Sequence, residues 1–267
     1  MGRRKAVEPA FAATRVGEGP PVVLIHGIGH RRQAWDPIVP AVSAEREVIA
    51  IDLPGFGESP GLPEDMTYDM PTTMENFAKA FAELGLERPH VVGNSLGGAI
   101  AIELGALDLA RSVTALSPAG FWNAVERRYA LALLNTVRMS AAVPDRLLTY
   151  ASRSALVRNR AMSPIFAHPE RVAPEDFLAD ARLLREAPAF APTVRAGHSY
   201  DCLATPVVPT TVAWGEKDRI LPPRQVRLAR RRLPDARFVR LPGCGHVPMI
   251  DDPELVAKVI LQATAGE

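Results

Sequence analysis

The 267-residue chain has only two cysteines, Cys202 and Cys244, too few for a disulfide framework. Neither sign of charge dominates. The 31 Lys and Arg residues are balanced by 30 Asp and Glu, a formal net charge of +1. That removes the global field that would draw in nucleic acid or an anionic membrane. No apolar run approaches the roughly 18 residues a membrane span needs. The opening MGRRKAVEPAFAATRVGEG has a basic cluster, but Glu8, Pro9 and Arg15 interrupt the apolar stretch of a secretory signal. There is no internal repeat and no low-complexity tract. These absences point to a reduced, cytoplasmic protein with no membrane span and no nucleic-acid partner. A homodimer is left open.

What is present is ordinary globular composition, 47% apolar and 23% charged. The length suits one large domain, or one domain with a sizeable insertion. Short apolar runs alternate with helix patterns. VVLIH (22–26), EVIAID (47–52), HVVGN (90–94) and SVTALS (112–117) read as strands. Helices are expected near 33–43, from Pro71 to about Leu86, and over LGGAIAIELGALDLA, which is apolar nearly all round and should be buried. From about Trp122 to Tyr200 strand runs vanish. Arginine-rich helical segments replace them, with eleven arginines against seven acidic residues between 122 and 200. The alternation returns with PVVPTTVAW (206–214), a helix near 222–232, RFVRLP (237–242) and a last helix from Pro253. This predicts an α/β fold, a doubly wound, mostly parallel sheet, with a helical insertion after the strand near 112–117.

The most informative corner is HVVGNSLGGAIA (90–101). Ser95 sits where strand becomes helix, with Gly93 and Gly97 two positions away on each side. In such sheets ligands bind at the carboxyl ends of the strands. A sharp strand-to-helix turn projects a side chain into that cleft, and bulky flanking residues would clash there. The helix N-terminus also favours developing negative charge. A helix-capping serine is the plainer alternative for the motif alone.

A serine hydroxyl needs a base. His246, in LPGCGHVPMIDDP between the last strand and last helix, is the leading candidate. His26 precedes a glycine turn, His90 lies at the wrong edge of the sheet, and His30 could line the pocket. His168 and His198 belong to the insertion. The base needs an acid. Asp218 closes VAWGEKD, and Glu216 could compete. Asp251 and Asp252 should start the last helix. The oxyanion donors are the backbone N–H groups of Ile28, in the turn HGIGH (26–30), and of Leu96. Phe121 and Trp122, with Tyr129 and Leu133, stand where the insertion begins. They could line an apolar acyl pocket or simply pack the insertion onto the core.

The order Ser95, Asp218, His246 resembles that of the α/β-hydrolase family. The resemblance extends over nearly the whole chain, through HGIG, DLPGFGESP (52–60), GNSLGG (93–98), WGEKDRILP (214–222) and GCGHVPMIDDPE (243–254). It implies a core made of 1–121 and 201–267, with 122–200 as a cap or lid over the site. It also implies hydrolysis of a small-molecule substrate through a covalent acyl-enzyme, with no cofactor and no metal. An esterase with a Ser-His-Asp triad and a medium-sized apolar substrate is the leading expectation. Relatives with an aspartate nucleophile, the haloalkane dehalogenases and soluble epoxide hydrolases, are disfavoured by Ser95. GNSLGG also looks like the carbon–carbon bond hydrolases of aromatic degradation, which act on vinylogous diketone acids. However, Val247 stands where those commonly carry tryptophan, and HGIGH departs from their turn. Cofactor-free perhydrolases share the triad. A binding protein of the same fold with little turnover is the rival from another class.

Three further features read as scaffold. DLPGFGESP lacks the Gly-Lys-Ser/Thr ending of a phosphate loop. The basic helix RQVRLARRRLP reads as a solvated face. Cys244 reads as a buried loop residue beside His246.

Overall fold

The computed structural model describes residues 11–265, so the basic cluster at the start of the chain lies outside the described residues. Seven strands form one sheet: β1 (Ala13–Val16), β2 (Pro21–Ile25), β3 (Glu47–Ile51), β4 (His90–Asn94), β5 (Ser112–Leu116), β6 (Thr210–Gly215) and β7 (Arg237–Leu241). Their order is β1-β3-β2-β4-β5-β6-β7, with β1 antiparallel to β3 and every other pair parallel. The alternating side chains of β2 feed two cores. Val23 and Ile25 pack on one face with Phe77 and Ile100, while Val22 and Leu24 pack on the other with Val42 and Ile260.

The helices follow the strands: α1 (Val39–Val42), α2 (Met70–Glu83) and α3 (Leu96–Ala106) precede β5, and α9 (Val226–Arg232), α10 (Pro248–Asp251) and α11 (Pro253–Ala263) follow β6. Between β5 and β6 comes the helical insertion, with α4 (Ala124–Ala141), α5 (Asp145–Arg153), α6 (Ala155–Met162), α7 (Pro174–Glu186) and α8 (Phe190–Gly197). Its first helix starts on a capping box. The Asn123 side chain accepts from Glu126 N–H at 2.9 Å, and the Glu126 carboxylate accepts from Asn123 N–H at 3.2 Å.

Some boundaries differ from the sequence reading for identifiable reasons. β1 is exposed along its length and lacks an apolar signature. The helix expected near 33–43 is split into a 3₁₀ turn (Arg32–Trp35) and the single turn α1, because Pro37 and Pro40 interrupt it. β6 starts at Thr210 rather than 206, since Pro206 and Pro209 cannot donate ladder hydrogen bonds.

The chain leaves β2 for β3 on one side, then crosses back to β4 on the other. Ligands collect at such a switch point, beyond the carboxyl ends of the two strands. The turn after β2 and the corner after β4 both lie there.

Candidate active site

Ser95 occupies the corner between β4 and α3 with φ +57° and ψ −114°, a strained conformation for a residue with a Cβ. The strain is held from both sides. Ser95 N–H donates to Leu116 O at 2.9 Å, and Ser95 O accepts from Ala119 N–H at 3.0 Å and Ala99 N–H at 3.1 Å. The flanking glycines are required by contact. A Cβ on Gly93 would lie 1.9 Å from Gly97 O, and one on Gly97 would lie 2.2 Å from Ile25 O.

The turn after β2 lies against this corner, where a Cβ on Gly27 would meet Ser95 Cβ at 3.1 Å. His26 is buried there. It accepts Leu53 N–H on Nε2 at 2.9 Å, which leaves Nδ1–H to donate to Gly27 O at 2.7 Å. Burial lowers its pKa to about 4, so it is a neutral structural brace. Ile28 follows, and Leu96 begins α3, where helix geometry provides the N–H with no intrahelical acceptor. Ile28 and Leu96 both line a cavity that Ser95 also lines.

The third part is the loop after β7. His246 and Asp218 are both buried, and His246 Nδ1 lies 2.8 Å from Asp218 Oδ2. The other carboxylate oxygen of Asp218 accepts Ile220 N–H at 2.9 Å and Leu221 N–H at 2.8 Å. An acceptor-only carboxylate puts the proton on Nδ1 and leaves Nε2 as the basic nitrogen. Glu216, the competing acid, is exposed and lies 3.9 Å from Arg240. Ser95 Oγ and His246 make no direct hydrogen bond. They line the same small cavity, together with Ile28 and His30.

Two cavities meet at Ser95. The larger, about 280 Å³, is mostly apolar and is lined by Phe56, Leu96, Ile100, Trp122, Leu131 and Tyr200 among others. The smaller, about 60 Å³, is lined by His246 and His30 together with Leu184 and Phe190. Of the pocket residues read from sequence, His30 lines the smaller cavity and Trp122 the larger. Burial lowers the His30 pKa. Phe121 is a correction. It lines neither cavity and packs fully buried in the core. The DLPGFGESP turn contributes Leu53, Pro54 and Phe56 to the larger wall.

Asp251 is the second correction. Only Asp252 caps the last helix, accepting Leu255 N–H at 3.0 Å. Asp251 is buried and accepts Gly245 N–H at 2.7 Å, His168 N–H at 2.7 Å and Ala167 N–H at 3.1 Å. It pins the His246 loop to the insertion, as does the bond from His246 N–H to Ile165 O at 2.9 Å. Asn94 is a further residue of the site that no sequence motif singles out. Its buried amide donates to Leu116 O at 3.1 Å and to His246 O at 2.9 Å, joining the serine corner to the histidine loop. A polar residue ending an otherwise apolar strand was its only signal. Arg232, read as part of a solvated face, donates to Gly120 O and Cys202 O. Cys244 is buried, as expected, and burial pushes its thiol up to about 12. Among the described residues no group of His, Cys, Asp and Glu is arranged to hold a metal ion.

Residues 22–259 match the model of the alpha/beta hydrolase family. The chain is 29% identical over 246 residues to the dihydrolipoyllysine-residue acetyltransferase component of an acetoin cleaving system from Pseudomonas putida. That match covers 91% of this chain and 63% of the relative, so the chain spans less than two thirds of that protein. It is 28% identical over 265 residues to a pimeloyl-[acyl-carrier protein] methyl ester esterase from Aeromonas hydrophila, covering 94% of this chain and 98% of that one. Among solved structures, a meta-cleavage product hydrolase from Pseudomonas fluorescens superposes with a TM-score of 0.72 at 22% identity. That superposition covers 96% of this chain and 94% of the other.

Proposed function

The chain belongs to the α/β-hydrolase family, and we propose that it is a serine hydrolase of carboxylic esters with an apolar, medium-sized substrate. Ser95 is the nucleophile, His246 the general base and acid, and Asp218 the residue that orients His246. The N–H groups of Ile28 and Leu96 receive the oxyanion. The observation that carries this reading is the meeting of the two cavities at a strained serine, with an aspartate-bound imidazole on the wall of one of them.

The steps follow from that arrangement. Ser95 Oγ attacks the ester carbonyl carbon while His246 Nε2 takes its proton. The carbonyl oxygen becomes an oxyanion held by the two backbone donors. The bond from carbon to the alkoxy oxygen breaks, and that oxygen takes the proton from Nε2. Water then attacks the acyl-enzyme with His246 again as base. Nε2 returns the proton to Ser95 Oγ as the carboxylic acid leaves. The helices over 122–200 act as a cap on the core formed by the rest of the chain. The free, buried thiols of Cys202 and Cys244 suit a reducing, cytoplasmic setting.

The carbon–carbon bond reading would need a cation to hold the substrate carboxylate. No Arg or Lys lines either cavity among the described residues, and Asp69 lines the larger one. The solved meta-cleavage product hydrolase is similar at a level that bears on fold alone. The test is a series of ethyl esters with acyl chains of rising length, assayed beside a ring-fission dienoate. We expect ester turnover that rises with chain length to a medium-chain optimum. Turnover of only the dienoate would overturn the ester reading.

A further inference from the structure

The two cavities differ in size and in what they contain, and the difference gives the substrate a direction. Ser95 and Ile28 line both. His246 lines only the smaller, while Leu96 lines only the larger. In ester cleavage the alkoxy oxygen must receive its proton from the imidazole, so the alcohol portion has to lie on the histidine side of the serine. The acyl chain then runs the other way.

We infer that the protein takes esters of a medium-length apolar acid with a very small alcohol, the acyl chain filling the larger cavity and the alcohol the smaller. This rests on the ester reading above. A buried apolar cavity of about 150 Å³ holds a benzene ring, six carbons. On that measure the smaller cavity, about 60 Å³, holds a methoxy or ethoxy group. The larger, about 280 Å³, holds an acyl chain of roughly eight carbons.

The insertion forms one wall of the small side. Leu184 of α7, with Val137, Ile165 and Phe190, makes up that wall. α7 lies directly on the turn after β2, since a Cβ on Gly29 would come within 2.5 Å of Leu184 Cδ1. Arg31 fixes that contact, donating to Asp180 at 2.7 Å and Asp176 at 3.0 Å, both on α7. A longer alcohol would have to push this wall outward. A longer acyl chain gains apolar contact, about fourfold in binding for each buried methylene until its cavity is full.

Methyl octanoate and heptyl acetate test this directly. They are isomers that differ in which side of the carbonyl carries the long chain. With the full-length protein below saturation, acid release from methyl octanoate should be at least tenfold faster. Equal rates, or a faster heptyl acetate, would overturn the assignment while leaving ester hydrolysis standing. If neither isomer is cleaved, the ester reading fails, and this inference fails with it. Leu184→Ala gives a second readout. It should raise the rate on butyl octanoate relative to methyl octanoate at least fivefold, and an unchanged ratio would show that the wall does not set alcohol size.

Discussion

Asp218 uses both carboxylate oxygens, one on His246 Nδ1 and the other on the N–H groups of Ile220 and Leu221. An amide in its place would offer N–H donors to groups that are themselves donors, and would favour the wrong imidazole tautomer. Asp218→Asn should therefore lower kcat on an ethyl ester by about 10⁴-fold. Glu216→Gln should change it less than twofold, because that carboxylate is exposed. Steady-state kinetics on the two variants decides between the acids. The pairing of Asp218 with His246 and the place of Ser95 at a strand-to-helix corner were legible, because each residue follows a strand in a short motif. Asp251 was not, because two of the three N–H groups that claim it belong to residues 167 and 168, more than eighty positions back in the chain. Asn94 was hidden in the same way, since its role depends on neighbours that sequence spacing does not reveal, and of the two readings open for Phe121 the structure shows core packing.

At the scale of elements, the insertion is tied to both loops that flank the candidate nucleophile. Asp251 and Ile165 O hold it to the His246 loop, and Arg31 holds α7 to the turn that carries Ile28. The Arg31–Asp180 pair is mostly shielded, with 17% of the arginine side chain and 18% of Asp180 exposed, whereas Asp176 is 56% exposed. Hydrogen bonds to charged groups in such settings contribute about 1.5–3 kcal/mol. Arg31→Ala should lower stability by about that amount and kcat by roughly tenfold. Asp180→Asn should act in the same direction, and the double variant should fall short of the sum. Denaturation midpoints and turnover of the three variants measure this. The parallel core strands were legible from their apolar runs, and the insertion from the loss of those runs. β1 was not, because a four-residue exposed edge strand has no apolar face to announce it.

For the whole molecule, two buried histidines make stability depend on pH. Burial lowers both His26 and His90 from the ordinary 6.5 to about 4. Between those values the unfolded chain binds protons that the folded protein excludes, so stability rises with pH across that window. It is fully present above about pH 6.5 and is lost as pH falls toward 4. Urea midpoints should therefore be lower at pH 5 than at pH 7. His90→Gln should flatten part of that slope while keeping a partner for Ser112, which the His90 ring now meets at 2.7 Å. Among the described residues no helix is long and apolar enough to cross a membrane.

Ester cleavage in the proposed active site requires Ser95 to be an activated nucleophile. A fluorophosphonate probe reacts with such a serine irrespective of the natural substrate, and mass spectrometry of the digested protein locates the adduct. The wild-type protein should carry a single adduct on the peptide containing Ser95, Ser95→Ala should carry none, and His246→Ala should react far more slowly. Equal labelling of the wild type and Ser95→Ala would contradict the account.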